Sequence, residues 1–285
     1  SLGGALTISG TGTAALNGGL SGVSTGQLTV TGGSLTLANG AALASYTQSA
    51  GGFAGAGALT VGQRFNQTGG TLSGFTSASL TDTSASPLAI ASISAGTVTA
   101  TGANGISIGS GGQITTTATG RALVLDAGGG SFFNGSNASA LNATGGGTWL
   151  VYTSDPATAT FNGLASGNLA LWNKTFSANP PASIAQTGNR YLFGTTQTLA
   201  FTSGSLTKTY GDDVTGSLPT LYTVSGANTN TYGGAIVADS SVPLSSLFSG
   251  APTVASGGTA PTAQVVTSPY VVTVGAGTLS SLTGY

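Results

Sequence analysis

The chain contains no histidine, no cysteine and no methionine, and its six acidic residues are all aspartate. Without His or Cys there is no Ser-His or Cys-His nucleophilic pair and no imidazole or thiolate zinc site. Zero Cys fits both a reducing compartment and an exported protein that avoids unwanted disulfides, so it leaves location open. Charge is scarce as well. Five Lys plus Arg and six Asp make up 4% of the chain, against roughly 25% in ordinary soluble proteins, so the surface must be built from Ser, Thr, Asn, Gly and Ala. The basic residues Arg64, Arg121, Lys174, Arg190 and Lys208 are scattered and the net charge is −1. That gives no footprint for nucleic acid, which needs clustered Lys and Arg. Gly, Ser and Thr interrupt every hydrophobic segment, so no apolar run is long enough to span a bilayer as a helix. No signal peptide is visible, and the start at Ser1 with the abrupt end at Tyr285 favours a processed or excised piece of a longer chain.

What is present points to strands. There are 49 Gly, few straight-chain helix formers and a hydrophobic fraction of 39%; disorder would pair low hydrophobicity with high net charge. From Ala5 to about Asp126 one short phrase returns: ALTI at 5–8, QLTV at 27–30, SLTL at 34–37, ALTV at 58–61 and ALVL at 122–125. Each alternates apolar with small or polar residues, the period of a strand with one buried face. Between them lie TGG, ANG and AGG corners, where Gly and Asn reach positive φ at little cost. Grouped in threes, the strands give coils of roughly 20 to 30 residues, the period at which short strands stack into a solenoid. The expected fold is therefore all-β, a right-handed parallel β-helix with Leu, Val and Ile inward and Thr, Ser and Gln outward. An antiparallel sandwich or meander is the alternative for the same pattern.

The stretch RALVLDAGGGSFFNGSNASALNATGGGTWLVYTSDP, 121–156, closes the repetitive region. Beyond it, FNGLASGNLALWNKTFSANPPASIAQTGNR carries the second Trp and a Pro-Pro pair and reads as an irregular cap. The expected organisation is a β-helix shaft over 1–190 with its cap at about 157–190, connecting strands over 191–204, and a small β-sandwich over 205–285, where Tyr, Pro and Val replace Gly and Ala.

The run GTWLVYTSDP at 147–156, following RALVLDAGG and SFFN, resembles the C-terminal part of the filamentous-haemagglutinin-like adhesins exported by two-partner secretion in Gram-negative bacteria. KTYGDD at 208–213, followed by LPTLYTVSG and SPYVVTVGAG, resembles the small YGX-type β-domain called MBG, often appended to such adhesins, for which glycan binding has been suggested. Together these resemblances cover about two thirds of the chain. They imply a parallel β-helix shaft, an extracellular or cell-surface location on a Gram-negative cell and an outer-membrane transporter as export partner. They carry over no catalytic residues.

Asp82, Asp126 and Asp155 lie 30 to 45 residues apart, roughly a coil or more, and could align, but an acid-base pair for glycoside chemistry needs two carboxyls within about 10 Å and no acidic position repeats. At strand ends before Gly or Pro, Asp126 and Asp155 suit turn capping. Asp212 and Asp213 lack the further oxygen ligands of a calcium loop and also read as a turn. Trp149, Tyr152, Trp172, Phe132 and Phe133 suit a sugar-stacking platform, yet both faces of the GTWLVYTS strand are apolar, which favours burial between column and cap. The sequons at Asn66, Asn134, Asn137, Asn142 and Asn173 are what a Ser- and Thr-rich chain produces by chance. No catalytic, cofactor-binding or metal-binding residue is assigned, and no cofactor is expected.

The resulting expectation is a non-enzymatic structural segment of a secreted or cell-surface adhesin, a stiff fibre or stalk supporting attachment or biofilm matrix. Its partners would be surface glycans or matrix polysaccharide, and copies or sister domains joined end to end. The alternative is a carbohydrate-binding module in the C-terminal unit, using Tyr210, Tyr222, Tyr232 and Tyr270.

Overall fold

A computed structural model describes residues 2–285 and is all-β, with a parallel β-solenoid of about 6 turns. The solenoid strands are β1 (Ala5–Ile8), β2 (Thr13–Leu16), β3 (Leu20–Val30), β4 (Ser34–Leu37), β5 (Ala41–Gln48), β6 (Gly52–Gly55), β7 (Ala58–Gln67) and β8 (Thr71–Asp82). They continue as β9 (Leu88–Gly102), β10 (Ile106–Thr116), β11 (Gly120–Asp126), β12 (Phe132–Asn134), β13 (Leu141–Ala143), β14 (Gly147–Thr153) and β15 (Arg190–Phe193).

These fifteen strands form three parallel stacks. The first runs through β1 and the later halves of β3, β5 and β7, then the start of β9, β10 and β12. The second runs through β2, β4, β6, the start of β8, the middle of β9, the end of β10 and β13. The third takes the first halves of β3, β5 and β7, the ends of β8 and β9, then β11, β14 and β15.

The repeated phrases do not form one ladder. ALTI and QLTV stack residue on residue, Ala5 on Gln27 through Ile8 on Val30. SLTL lies in the second stack, while ALTV and ALVL lie in the third, separated by two intervening strands. The same apolar alternation thus serves all three sides of the coil.

Long strands turn corners within themselves. Register breaks fall between Gly22 and Gln27, Ser73 and Phe75, and Ile108 and Gln113. Between the second pair sits Gly74 at φ +79°. At the Gly51 corner, φ is +73° and an added Cβ would stand 2.1 Å from the Gly33 carbonyl oxygen of the preceding coil. Stacked coils approach so closely there that only glycine fits.

Leu28, Val30, Leu43, Val61, Phe65 and Ile90 point inward and are at most 1% exposed. Burying each such side chain contributes about 1.5–3 kcal/mol, and stacking makes the apolar column continuous from coil to coil. Aromatic rings reinforce it: Tyr46 lies 5.4 Å from both Phe65 and Phe53, and Phe53 lies 5.2 Å from Phe75.

One expectation about side-chain direction is corrected. The expectation that Gln points outward fails at Gln48 and Gln67, which are 0% and 1% exposed. Their amides reach backbone groups at the coil corner, Gln48 to Gly51 O and Thr71 O, Gln67 to Ser92 O. A buried amide is tolerated when its donors and acceptors are met.

Beyond Pro156 the column continues irregularly. Thr160 bridges Phe133 in parallel, and β15 adds a rung to the third stack. Phe161 lies 4.7 Å from Tyr191, and Trp172 lies 5.0 Å from Phe193. A returning segment, Thr231–Val237, belongs to this same compact unit, with Leu169 bridging Val237 and Tyr232 placed 6.0 Å from Phe193. Tyr232, assigned from sequence to the C-terminal module, therefore packs on the solenoid's aromatic end.

The first unit comprises Ser1–Thr195 with Thr231–Val237, and the second Thr196–Asn230 with Ala238–Tyr285. The second holds three separate antiparallel ladders: β16 (Ala200–Ser203) with β17 (Tyr222–Ser225), β18 (Phe248–Ser249) with β21 (Ser280–Ser281), and β19 (Thr253–Ser256) with β20 (Val272–Gly275). Phe201 packs 5.2 Å from Phe248, and Leu218 and Leu247 are also buried in this unit.

Candidate functional site

Most solenoid strands alternate buried and exposed residues, but β11 and β14 each end in five consecutive buried ones. Their outer flank is covered. Val124, Leu150 and Tyr152 from these strands pack with Leu192 of β15 and with Leu171 and Ile184 of the irregular segment, and Phe176 lies against them. Trp149, on the opposite face of β14, points into the column at 5.0 Å from Tyr191. Alternation along one strand thus sends Trp149 inward and Tyr152 beneath the covering segment.

Polar anchors hold that segment down. Arg121 Nη2 donates to the carbonyl oxygens of Ile184 and Gln186, each at 2.6 Å, and the Tyr152 hydroxyl donates to Asn179 O at 2.8 Å. Arg190 donates to Leu169 O at 2.9 Å and Thr187 O at 3.0 Å. Burial pushes the Tyr152 hydroxyl up to about 12, with Arg121 opposing and Asp126 reinforcing the shift. Burial and the neighbouring Arg121 lower the Arg190 guanidinium.

Beside this seam opens a cleft of about 680 Å³. Its solenoid wall is formed by Asp126, Gly128, Tyr152 and Asp155, its other wall by Lys174, Phe176 and Thr195. Asp126 is 9% exposed. Its Oδ1 accepts the Gly128 N–H at 3.0 Å; its second oxygen has no partner among the described residues. Burial raises the Asp126 carboxyl above the ordinary range, and the Gly128 N–H only partly opposes that. Asp155 Oδ1 accepts the Ala157 N–H at 2.8 Å. Both aspartates cap turns in the structure, and stacking of coils also brings them to one cleft. Phe176 meets Tyr152 edge to face at 5.4 Å, and Thr195 Oγ1 is buried without a partner among the described residues.

The other singled-out residues are dispersed. Asp82, 2% exposed, accepts the Ser84 N–H at 2.8 Å and lines a small cleft with Arg64. Asp212 accepts the Thr209 N–H and Asp213 the Thr215 N–H, a turn in which that backbone N–H holds the Asp213 carboxyl below its usual range. Of the aromatic five, Phe132, Trp149, Tyr152 and Trp172 are buried and only Phe133 is exposed. Among the sequons, Asn134 is wholly buried, its amide donating to Asn137 O and Phe161 O at 2.8 Å, while Asn137, Asn142 and Asn173 are exposed. Among the described residues no three Asp, Glu, His or Cys converge as metal ligands, and no helix is long and apolar enough to cross a membrane.

The second unit has its own cleft, about 450 Å³, lined by Leu206, Lys208, Tyr210 and Tyr270 among others. Lys208 Nζ is spent on the backbone oxygens of Asp212, Thr259 and Ala260, and the Tyr270 hydroxyl donates to Gln264 O. Tyr210 is 66% exposed.

Sequence reasoning missed Phe176 and Thr195, and noted Lys174 only as one scattered cation. The available signal was Lys174 itself, one of five basic residues and the one set in the irregular segment two positions before a Phe.

The strand register defines the first unit as a parallel β-solenoid. Compared with known proteins, the chain matches no family model, and no curated protein and no solved structure matches it.

Proposed function

We propose that this chain is a structural segment of a secreted or cell-surface bacterial adhesin, a stiff β-helical stalk supporting attachment or biofilm matrix. The observation that carries the reading is the solenoid's three parallel ladders around a mainly apolar column. Inter-strand hydrogen bonds in such a coil run along its axis, so bending or stretching must break them in rows. The nearly chargeless, hydroxyl-rich composition suits a neutral fibre, and the resemblance of 147–156 to filamentous-haemagglutinin-like adhesins supports an outer-surface location and an outer-membrane transporter. In this reading the β-helix is right-handed, the second unit is an MBG-like β-sandwich, copies or sister domains join end to end, and the role is mechanical without catalysis or nucleic-acid binding. Antibody against the solenoid should label intact Gram-negative cells that make the parent protein; label seen only after permeabilisation overturns the reading. Pulling a single molecule should give a high-force, stepwise release of coils.

A second reading is a carbohydrate-binding module in the C-terminal unit. It is favoured by Tyr210, whose exposed ring borders the 450 Å³ cleft and offers a face for a sugar ring. A glycan array probed with the whole chain and with Tyr210→Ala tests it, since loss of signal in the variant alone is required.

A further inference from the structure

We propose that the cleft between the outer flank of β11 and β14 and residues 174–177 is a binding site for a neutral, hydroxyl-rich saccharide, with Asp126 as its central acceptor. This site lies in the solenoid, not in the C-terminal unit. Two features point to a ligand. The cleft volume, about 680 Å³, falls within the range of about 300–1,000 Å³ typical of small-molecule sites. Asp126 is nine-tenths buried and lines it with one oxygen that accepts no hydrogen bond from the described residues. That oxygen is open to solvent at the cleft, and a sugar hydroxyl can donate to it there.

The surrounding groups set the ligand class. Lys174 lines the cleft with an ammonium that makes no hydrogen bond or ion pair to the chain among the described residues, a donor for ring or hydroxyl oxygens. Thr195 Oγ1 is buried there without a partner. Phe176 keeps its edge-to-face contact with Tyr152 and borders the space with an apolar surface of the kind that meets the C–H face of a pyranose. An anion would meet two carboxylates, Asp126 and Asp155, against one ammonium. A metal ion would lack a third acidic or imidazole ligand. A neutral ligand carrying adjacent hydroxyls satisfies the acceptor, the cation and the ring together.

The test uses the whole chain and four probes: cellotriose, maltotriose, mannotriose and chitotriose, each by saturation-transfer NMR with affinity from titration. Binding of at least one probe is expected, and Asp126→Asn, which retains an acceptor for the Gly128 N–H, should weaken it about tenfold or more, the loss of a charge-assisted hydrogen bond. Phe176→Ala should weaken it as well, with circular dichroism unchanged in both variants. Absence of saturation transfer from all four probes at about 10 mM overturns the proposal. So does binding that survives Asp126→Asn at full strength, or that is abolished by Tyr210→Ala and not by Asp126→Asn, which moves the site to the second unit.

Discussion

Gln67 sits directly on Gln48 in the first stack and donates from Nε2 to its Oε1 at 2.9 Å, inside the column. The same Gln67 donates to Ser92 O at 2.9 Å, while its Oε1 accepts the N–H groups of Ala91 and Ser92 at 3.1 and 3.2 Å. Only one residue pair, Asn66 with Ala89, joins β7 to β9 at this level. The side-chain amide therefore stands in for backbone partners where the ladder is interrupted.

Gln67→Ala leaves two backbone N–H groups without acceptors and should cost about 2–3 kcal/mol, the lower part of the range set by about 1–3 kcal/mol per stranded donor, because Ala91 and Ser92 are only partly buried. Hydrogen exchange resolves it: protection at Ala91 and Ser92 should collapse, with the coil around Gln48 weakened next.

Phe53 is fully buried between Tyr46 and Phe75, whereas Phe133 is 49% exposed. Phe53→Ala should destabilise by about 3–5 kcal/mol through the cavity it leaves. Phe133→Ser, on the outer face, should stay within about 0.5 kcal/mol. Equal midpoints in urea for the two variants would contradict the assigned inward and outward faces.

Asp126 ionises against its surroundings, since burial raises its carboxyl pKa. A folded-state pKa above the unfolded one contributes stability that is present in acid and lost as pH rises through the folded value. Tyr152, Asp155 and Lys174 share its cleft, with Arg121 on the same strand. Asp126→Asn should thus raise Tm at pH 7, and the gain should vanish at low pH, where the wild-type carboxyl is also neutral. A stabilised variant that has lost saccharide binding would show a residue kept for function at the expense of stability.

Tyr152 titrates at about 12 when folded, against about 10 in an unfolded chain. The contribution of its protonated hydroxyl is complete below pH 10 and is lost as pH climbs towards 12. Burial also raises Tyr46 and Tyr191, so the first unit should lose stability as pH rises through that window. Tyr152→Phe should flatten the slope while costing about 1 kcal/mol for the hydrogen bond to Asn179, measured by thermal melts from pH 9 to 12.

Local chemistry wrote the strands and corners. Period-two phrases and glycine turns depend on neighbours a few residues away, so strand character and the turn-capping of Asp126 and Asp155 could be read along the chain. The tertiary structure decided which phrase lies on which side of the coil, because SLTL and ALTV carry the same alternation and differ only in where the preceding corner leaves them. It turned Gln48 and Gln67 inward, through backbone partners one coil away. It also brought Lys174, Phe176 and Thr195 against Asp126 across a seam between segments about 50 residues or more apart, a proximity set by coil stacking that no local pattern encodes.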